Sequence, residues 1–531
     1  MKYNNYDIVI VGASNAGGMA AATAIQNSEK VLVIDKMKSA GYLYRDTIAS
    51  LGSKAQKRAG VKINKTKLLN FLSAFAQDNV DQRLLRIWAD HSAEPVDWIE
   101  DNILKPRGAY MSATNDAPYK TLINTAFPTG NEVTNKDGSY WEMEYGNWLL
   151  EKLQNLGVEF SWQTKLEHLI VKYGRVKGLI VRNEVSKETD VIYAKNVIIC
   201  TGGYGANEAL MQKWNPLGLK TNMYSDSQRD DGSGIIAAIE AGAVKDEQPA
   251  SIVFNRGAVP VGTNAIDFYK INLTPPNDPG YLWLGSYPFL KVNLNGERFF
   301  NESAPYQFDM NSASKQPGYL EVTIWNEKMM SEAVLKQFHT LGCSRLSFPG
   351  IFTAEEAQEE VNRRIKDGLV QKADTIEELA NKLQLPVGNL KRSITRYNKL
   401  ANKKQDDDFG KEDYRLYPIE SGPYYGAWLG GRLLATLDGL RVNTKMQVLN
   451  NLGNAIPGLY AAGNCSGGFF WGSYPDRVPG LTASHAMTFG MLAGRIAAND
   501  GKLPNSSHVP PKVHTVKVAD DVEASTGASE Q

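Results

Sequence analysis

The stretch Asp7–Ala24, DIVIVGASNAGGMAAATA, carries the residue types that bind a diphosphate. Ile8 to Val11 form an apolar run suited to a buried parallel strand, Gly12 breaks it, and Gly17-Gly18-Met19-Ala20-Ala21-Ala22 opens a small-residue helix. A strand, tight turn and helix in that order aim backbone N–H groups and the positive end of a helix dipole at one spot, which favours a pyrophosphate. The dinucleotide fingerprint G-x-G-x-x-G reads here Gly12-Ala13-Ser14-Asn15-Ala16-Gly17. Ser14 thus replaces the glycine that lets backbone approach phosphate, and its hydroxyl is itself a donor. Val31-Leu32-Val33-Ile34-Asp35 adds a second buried strand ending in a carboxylate, at about the 20-residue spacing of a ribose-binding acid. Lys36 follows it as a further candidate contact. The competing reading is a chance glycine turn in an ordinary βαβ unit.

A chain of 531 residues is too long for one core and implies two or three domains with room for an interior site. Its formal net charge is zero, so no field of one sign advertises nucleic acid or an anionic membrane as partner. Cys200, Cys343 and Cys465 form no C-x-x-C pair, which argues against a disulfide framework, a zinc site or an iron–sulfur cluster. The first strand begins within a few residues of Met1, and no apolar run is long enough to span a bilayer. The expectation is a soluble cytoplasmic protein acting on a small molecule.

Elements must position these groups. Lys36–Ser53 reads as a glycine-punctuated loop able to reach a cofactor through Thr47. Leu68–Asp101 has apolar residues three and four apart and reads as helices, and Thr114–Asp137 reads as loop. Tyr145–Leu156 is an amphipathic helix, followed by a strand meander through Leu166, with Gly174 at a turn. Val197–Asn207, VIICTGGYGAN, is another buried strand that ends at a small-residue turn, where Thr201 and Gly202 can meet the dinucleotide from the other side. Arg229–Gly234, with Asp231, precedes an alanine-rich helix. Between about Ala250 and Glu420 the buried-strand pattern gives way to helices, among them Ala354–Gly368 and Thr375–Leu385, the second opened by a Thr375/Glu378 capping box. Gly458–Gly463 resumes the nucleotide-binding part, next to Asn464. A helix after Pro479-Gly480 presents amides near Leu481 and Thr482 to the pyrimidine end of a bound ring system. Lys502–Gln531, poor in apolar residues, reads as a mobile tail.

The order of these pieces resembles the flavoprotein subunit of fumarate reductase and succinate dehydrogenase, with its relatives urocanate reductase and 3-ketosteroid Δ1-dehydrogenase. The matching segments are VIVGASNAGG, VLVIDK, VIICTGGYGAN, DDGSGIIAAIEAGA, VNLNGERFFNE, TIEELANKLQLP, LKRSITRYNKL, IPGLYAAGN and AMTFGMLAGRIA, spread from about Tyr6 to Asp500. The resemblance implies an α/β fold in which a Rossmann-type FAD-binding domain, residues 1–249 and 421–502, is interrupted by an α+β capping domain at 250–420, with a tail at 503–531. The loop from Gly41 to Ser53 lacks the histidine to which some relatives attach FAD covalently, so non-covalent FAD is expected. With no second glycine fingerprint, electrons are expected from NADH, from a diffusing reduced flavin or from a redox partner.

Counted from Asn301-Glu302, the position of the family's proton-donating arginine is held by Tyr306, and Ala435 stands where a carboxylate-gripping histidine precedes Thr436-Leu437-Asp438-Gly439. Both departures tell against a small diacid. The resemblance therefore implies reduction of an activated C=C bond, with Tyr306 as acid and Arg477 polarising the substrate. Tyr474-Pro475 resembles the Y-P of the ketosteroid enzymes and makes Tyr474 the acid or base of a dehydrogenase instead. Tyr306 as a tyrosine that only packs, and 474–477 as plain loop, remain open, as does a flavin-binding protein without catalysis. Phe469, Phe470, Trp471 and Tyr474, with Tyr281, Trp283 and Tyr287 from the cap, suit a flat substrate such as a vinylphenol, hydroxycinnamate, flavonoid or enone.

Overall fold

The structure, a computed structural model, describes residues 4–28, 30–40, 47–113, 126–139, 145–216, 224–225, 229–263, 281–338, 353–499 and 501–502. Cys343, the residues between 41 and 46, and the tail beyond residue 502 lie outside them.

The apolar run of the first strand, Asn4–Val11, pairs in parallel with Val31–Ile34 on one side and with Thr189–Ile199 on the other, Val9 lying opposite Leu32 and Val197. Ile8–Val11, Val31–Ile34 and Val197–Ile199 are buried and need no alternation, which is why these parts of the strands read as continuous hydrophobic runs. Ala455–Ala461 adds in parallel beyond Thr189–Ile199, and Glu159–Ser161 beyond Val31–Ile34. The antiparallel meander Thr164–Lys172 and Arg175–Asn183, with Gln447–Leu449 antiparallel to Ala455–Ala461, completes an eight-stranded sheet among the described residues.

Two helices cover this sheet, the first, Asn15–Ala24, and the last described, Leu481–Ala497. They come from opposite ends of the polypeptide and meet backbone to backbone. A Cβ on Gly490 would lie 2.3 Å from the Ala16 carbonyl oxygen, and one on Gly494 would lie 2.1 Å from that of Ala20. Thr23 Oγ1 donates to the Met491 carbonyl at 2.8 Å, which fixes the sliding register of the pair.

The second sheet has seven strands among the described residues, with Tyr424–Thr436 at its centre between Glu321–Asn326 and Ala250–Val259. Here the structure corrects the expectation that buried strands vanish from the cap. Ala250–Val259 and Tyr424–Thr436 are buried nearly throughout, but Asn255, Arg256 and several glycines break their apolar runs, so neither shows a strand period. Ser473, far along the chain, pairs with Ser251, and Ala373 with Tyr424, so segments on both sides of residue 420 share one sheet.

Smaller corrections concern local signals. Gly130–Thr134, expected as loop, is a buried strand between Thr47–Ala49 and Tyr110–Ala113. Thr375 caps its helix by accepting from the Glu378 amide at 3.1 Å, but Glu378 turns to the Asp374 amide at 3.2 Å, so only half the expected box forms. Full boxes occur at Ser53 with Gln56 and at Thr353 with Glu356.

Gly494→Leu forces the two helices apart and is expected to cost about 3 kcal/mol. It should lower the melting temperature of the purified protein; an unchanged transition would show that this contact does not hold the two chain ends together.

Candidate functional site

A cavity of about 1210 Å³, its open mouth included, lies where the two sheets and the two helix N-termini converge. Its wall contains Gly12, Ser14, Asn15, Ala16, Asp35, Lys36, Leu166, Thr201, Gly202, Asp231, Asn464 and Thr482, so the structure gathers twelve sequence-chosen residues around one space. Gly12 has φ +106, and a Cβ there would sit 2.3 Å from the Cys200 carbonyl, so the turn lies directly on the end of the neighbouring strand. Ser14 is the N-cap of the first helix yet makes no side-chain capping bond, which leaves that helix terminus open to the cavity.

Beside this turn the Asp35 carboxylate accepts from the Ala13 amide at 2.9 Å and the Met37 amide at 2.8 Å. Asp231 is bridged by Lys36 at 2.8 Å and Lys165 at 3.1 Å. Burial pushes its carboxyl up, but the Lys36 charge and the Ser233 amide outweigh this and hold it well below the usual carboxylate range. Cys200, Arg229 and Asp230 also line the wall from loops, and Ser233 from the start of the helix Ser233–Glu240. Ile252, Leu434 and Ala435 contribute an apolar wall from the second sheet. Ala435 thus faces the cavity at the position where the resemblance places a histidine.

Three expected cofactor contacts are absent from this wall, each for a physical reason. Gly17 packs against the turn itself, where a Cβ would meet the Gly12 carbonyl oxygen at 1.8 Å. Thr47 gives its hydroxyl to the buried Glu132 at 2.9 Å. The Leu481 amide donates to the Tyr474 hydroxyl at 3.0 Å, so Tyr474 supplies the capping oxygen that Gly480 lacks. Burial also pushes the Tyr474 phenol up, above its ordinary value.

A cluster of buried polar groups stands beside the apolar wall. Tyr306 opens the helix Tyr306–Ala313; it is 4 % exposed and lies edge-on to Phe254 at 5.4 Å between centroids, two residues along the strand from Ile252. Its N-cap, Pro305, offers no side-chain acceptor, and Asp476 Oδ2 takes the Tyr306 amide at 3.0 Å instead. Arg477 donates to the same Asp476 oxygen at 3.2 Å and to the Ser303 carbonyl at 3.0 Å. Its guanidinium therefore ties the 474–480 loop to the turn that leads into Tyr306. Burial raises the Asp476 carboxyl above its ordinary value, against the pull of Arg477. The turn is anchored from behind by Arg298, which bonds Glu302 and Asp406, with Lys411 3.3 Å from Glu302.

Sequence reasoning missed Phe254, Arg256 and Asp476. The signal available was a cation and an aromatic inside an otherwise apolar strand. Of the aromatics expected around a substrate, Trp283 belongs to this cluster, its ring 4.3 Å from the Arg256 guanidinium. Tyr287 packs into the cap core beside Phe289. Phe469 and Phe470 pack on His485 and Phe489 of the last helix, not on the cavity. Burial lowers the His485 pKa to about 3, so that ring is neutral.

Among the described residues no helix is long and apolar enough to cross a membrane, and no group of three or more His, Cys, Asp or Glu is placed to hold a metal ion. An open helix N-terminus on a glycine turn, a carboxylate at the end of the adjacent strand and a second helix terminus across the cavity define a dinucleotide-binding oxidoreductase fold. The chain belongs to the FAD binding domain family, which it matches over residues 7–477, and it is an FAD-dependent oxidoreductase. It is 28 % identical to vinyl phenol reductase of Lactiplantibacillus plantarum, over 94 % of this chain and 97 % of that protein. It is 30 % identical to 3-oxosteroid 1-dehydrogenase of Mycobacterium tuberculosis, over 94 % of this chain and 100 % of that one. In fold it is similar to 3-ketosteroid delta1-dehydrogenase from Sterolibacterium denitrificans, with a TM-score of 0.72 at 18 % identity, over 93 % of this chain and all of that one.

Glu360 shows how the cap holds Trp283. Its carboxylate accepts from the Trp283 amide at 2.8 Å and the Leu284 amide at 3.2 Å, and burial pushes it up to about 7, against 4.5 for an exposed glutamate. The folded state therefore binds this proton more tightly than the unfolded chain. The resulting stability is fully present below pH 4.5 and is lost as pH rises to about 7, an effect on the order of 3 kcal/mol. Glu360→Gln should flatten that part of the stability profile measured by urea unfolding; identical pH slopes in the two proteins would contradict the assignment.

Proposed function

We propose that this protein reduces a conjugated C=C bond of a small, flat, largely aromatic substrate, of the vinylphenol, hydroxycinnamate, flavonoid or enone type. In this reading residues 1–249 and 421–502 bind FAD and residues 250–420 form the cap over it. The amides at Gly12 to Ala16 hold the pyrophosphate, Asp35 and Lys36 take the ribose end, and Thr201, Gly202, Asn464 and Thr482 border the ring system, all without a covalent bond. Reduced FAD, when bound, supplies a hydride; its own electrons come from NADH or from a diffusing reduced flavin.

The chain's residues supply the rest. Tyr306 Oη gives a proton to one alkene carbon while the other receives the hydride, so one C=C bond becomes CH–CH, and the tyrosine is reprotonated from solvent. Asp476 and Arg477 act on that step indirectly, by fixing the first turn of the helix that carries Tyr306. Tyr474 keeps the terminus of the last helix in place, with its oxygen already engaged by the Leu481 amide. Ala435, Leu434 and Ile252 exclude water on the substrate side. The observation that carries the reading is Tyr306 itself: a buried phenol, held at its backbone by Asp476 and set against Phe254, next to the strand that walls the cavity. The likeness to vinyl phenol reductase supports the substrate class.

The test is anaerobic. The protein reduced in the absence of oxygen should be reoxidised by 4-vinylphenol, 4-hydroxycinnamate or a cyclic enone, and Tyr306→Phe should slow this by about 100-fold or more while keeping its bound flavin. Reoxidation of the variant at the unaltered rate would remove Tyr306 from the chemistry.

A further inference from the structure

Resting on that reading, we propose that Arg256 is the group that receives the substrate's negatively charged oxygen, a phenolate or carboxylate conjugated to the double bond, and so selects the substrate class.

Arg256 sits on Ala250–Val259, where the ladder to Tyr424–Thr436 slips. Phe254 faces Arg432 and Gly257 faces Gly430, so Asn255 and Arg256 together oppose the single residue Gly431. Such a bulge re-aims a side chain out of the pleat. The guanidinium carbon ends 3.9 Å from the Phe254 ring centroid, 4.3 Å from that of Trp283 and 5.4 Å from that of Tyr306. It thus lies against the proposed proton donor, and the residue is 1 % exposed.

Its chemistry is incomplete as folded. The Nε and Nη1 atoms are buried and have no hydrogen-bond partner. Two other fully buried cations are spent on protein: Arg477 on Asp476 and Ser303, Lys411 on Glu302 and the Pro288 carbonyl. Ring faces offset part of the cost of burying a guanidinium, but they accept no N–H hydrogen bond of ordinary strength. An unsatisfied buried donor pair facing an aromatic box calls for a ligand that is flat on one side and carries an acceptor oxygen on the other.

That placement also fits the electron flow. For a para-vinylphenolate, an oxygen lone pair pushes through the ring and the terminal alkene carbon takes the Tyr306 proton. The hydride then adds at the benzylic carbon and returns the pair to the oxygen, which ends as the phenolate it began as. For an enoate the hydride adds first, the displaced π pair moves onto the carboxylate, and it returns to take the Tyr306 proton at the α-carbon. In the enoate route negative charge builds on the oxygen in the first step, and a fixed cation there lowers its cost; in the phenolate route the cation keeps the oxygen ionised, so that its lone pair is there to be drawn on.

The test is binding to the oxidised holoenzyme by isothermal titration, with 4-vinylphenol, cinnamate and styrene as probes, comparing the unaltered protein with Arg256→Met and Arg256→Lys. Arg256→Met should weaken 4-vinylphenol, cinnamate or both by about tenfold or more, and leave styrene within about twofold. Which of the two weakens identifies the phenolate or the carboxylate as the oxygen bound. Equal changes for all three probes, or none, would overturn the proposal. Should Arg256→Met not fold, Arg256→Lys carries the decision: a loss confined to the oxygen-bearing probes supports the assignment, and a uniform effect refutes it. Because binding needs no turnover, a protein that shows this selectivity but reduces no alkene would sink the proposed reaction and leave the role of Arg256 standing.

Discussion

Two helices that lie far apart in sequence meet backbone to backbone, and the cavity depends on that contact. Ala16 and Ala20 present bare backbone to Gly490 and Gly494, and at those points no side chain separates the helices. This contact brings the open N-terminus of Asn15–Ala24 and the first turn of Leu481–Ala497 to the wall of one cavity. Neither terminus alone makes the cavity; both contribute residues to its wall, Asn15 and Ala16 from one and Thr482 and Ala483 from the other. Loop-closure entropy grows slowly with length, by about 0.6 kcal/mol per doubling. A second sheet and its helices can therefore be inserted between the two helices without undoing the contact.

The inserted part solves a different problem, that of holding a phenol still beside the cavity. Tyr306 is fixed from two directions by charges that are themselves buried. Asp476 and Arg477 reach it from the loop before the last helix, and Arg298, Glu302, Asp406 and Lys411 anchor the preceding turn. Buried ion pairs contribute little net stability, because desolvation offsets their attraction. Their directional bonds instead specify one geometry for the turn and for the helix start that it leads into. Burial lowers Lys411 to about 8 despite its nearness to Glu302, a measure of how far water is excluded behind the turn.

Much of the nucleotide-binding part was legible because its physics is local. Continuous apolar runs such as Val31–Ile34 mark strands covered on both faces, and the spacing of Gly12 and Gly17 marks a turn that nothing bulkier fits. The cap was harder to read for the same reasons in reverse. Tyr424–Thr436 is buried on both sides yet contains Gly426, Gly430 and Gly431, so it shows neither alternation nor an apolar run. Arg256 owes its direction to a bulge set by pairing with a strand some 170 residues later. Single side-chain contacts, such as Tyr474 capping Leu481 or Thr47 engaged by Glu132 across two paired strands, likewise leave no periodic trace.

The cavity between the two helix N-termini is expected to hold a dinucleotide flavin through contacts alone. Flavin content of the purified protein tests it most directly, read from the visible spectrum before and after acid precipitation, with calorimetric titration of the stripped protein by FAD and by FMN. The expected result is one FAD per chain, released into the supernatant by acid and rebound in preference to FMN, which lacks the second phosphate and the adenosine that Asp35 and Lys36 would meet. Colourless protein that takes up neither flavin, or colour that stays with the acid precipitate, would contradict it.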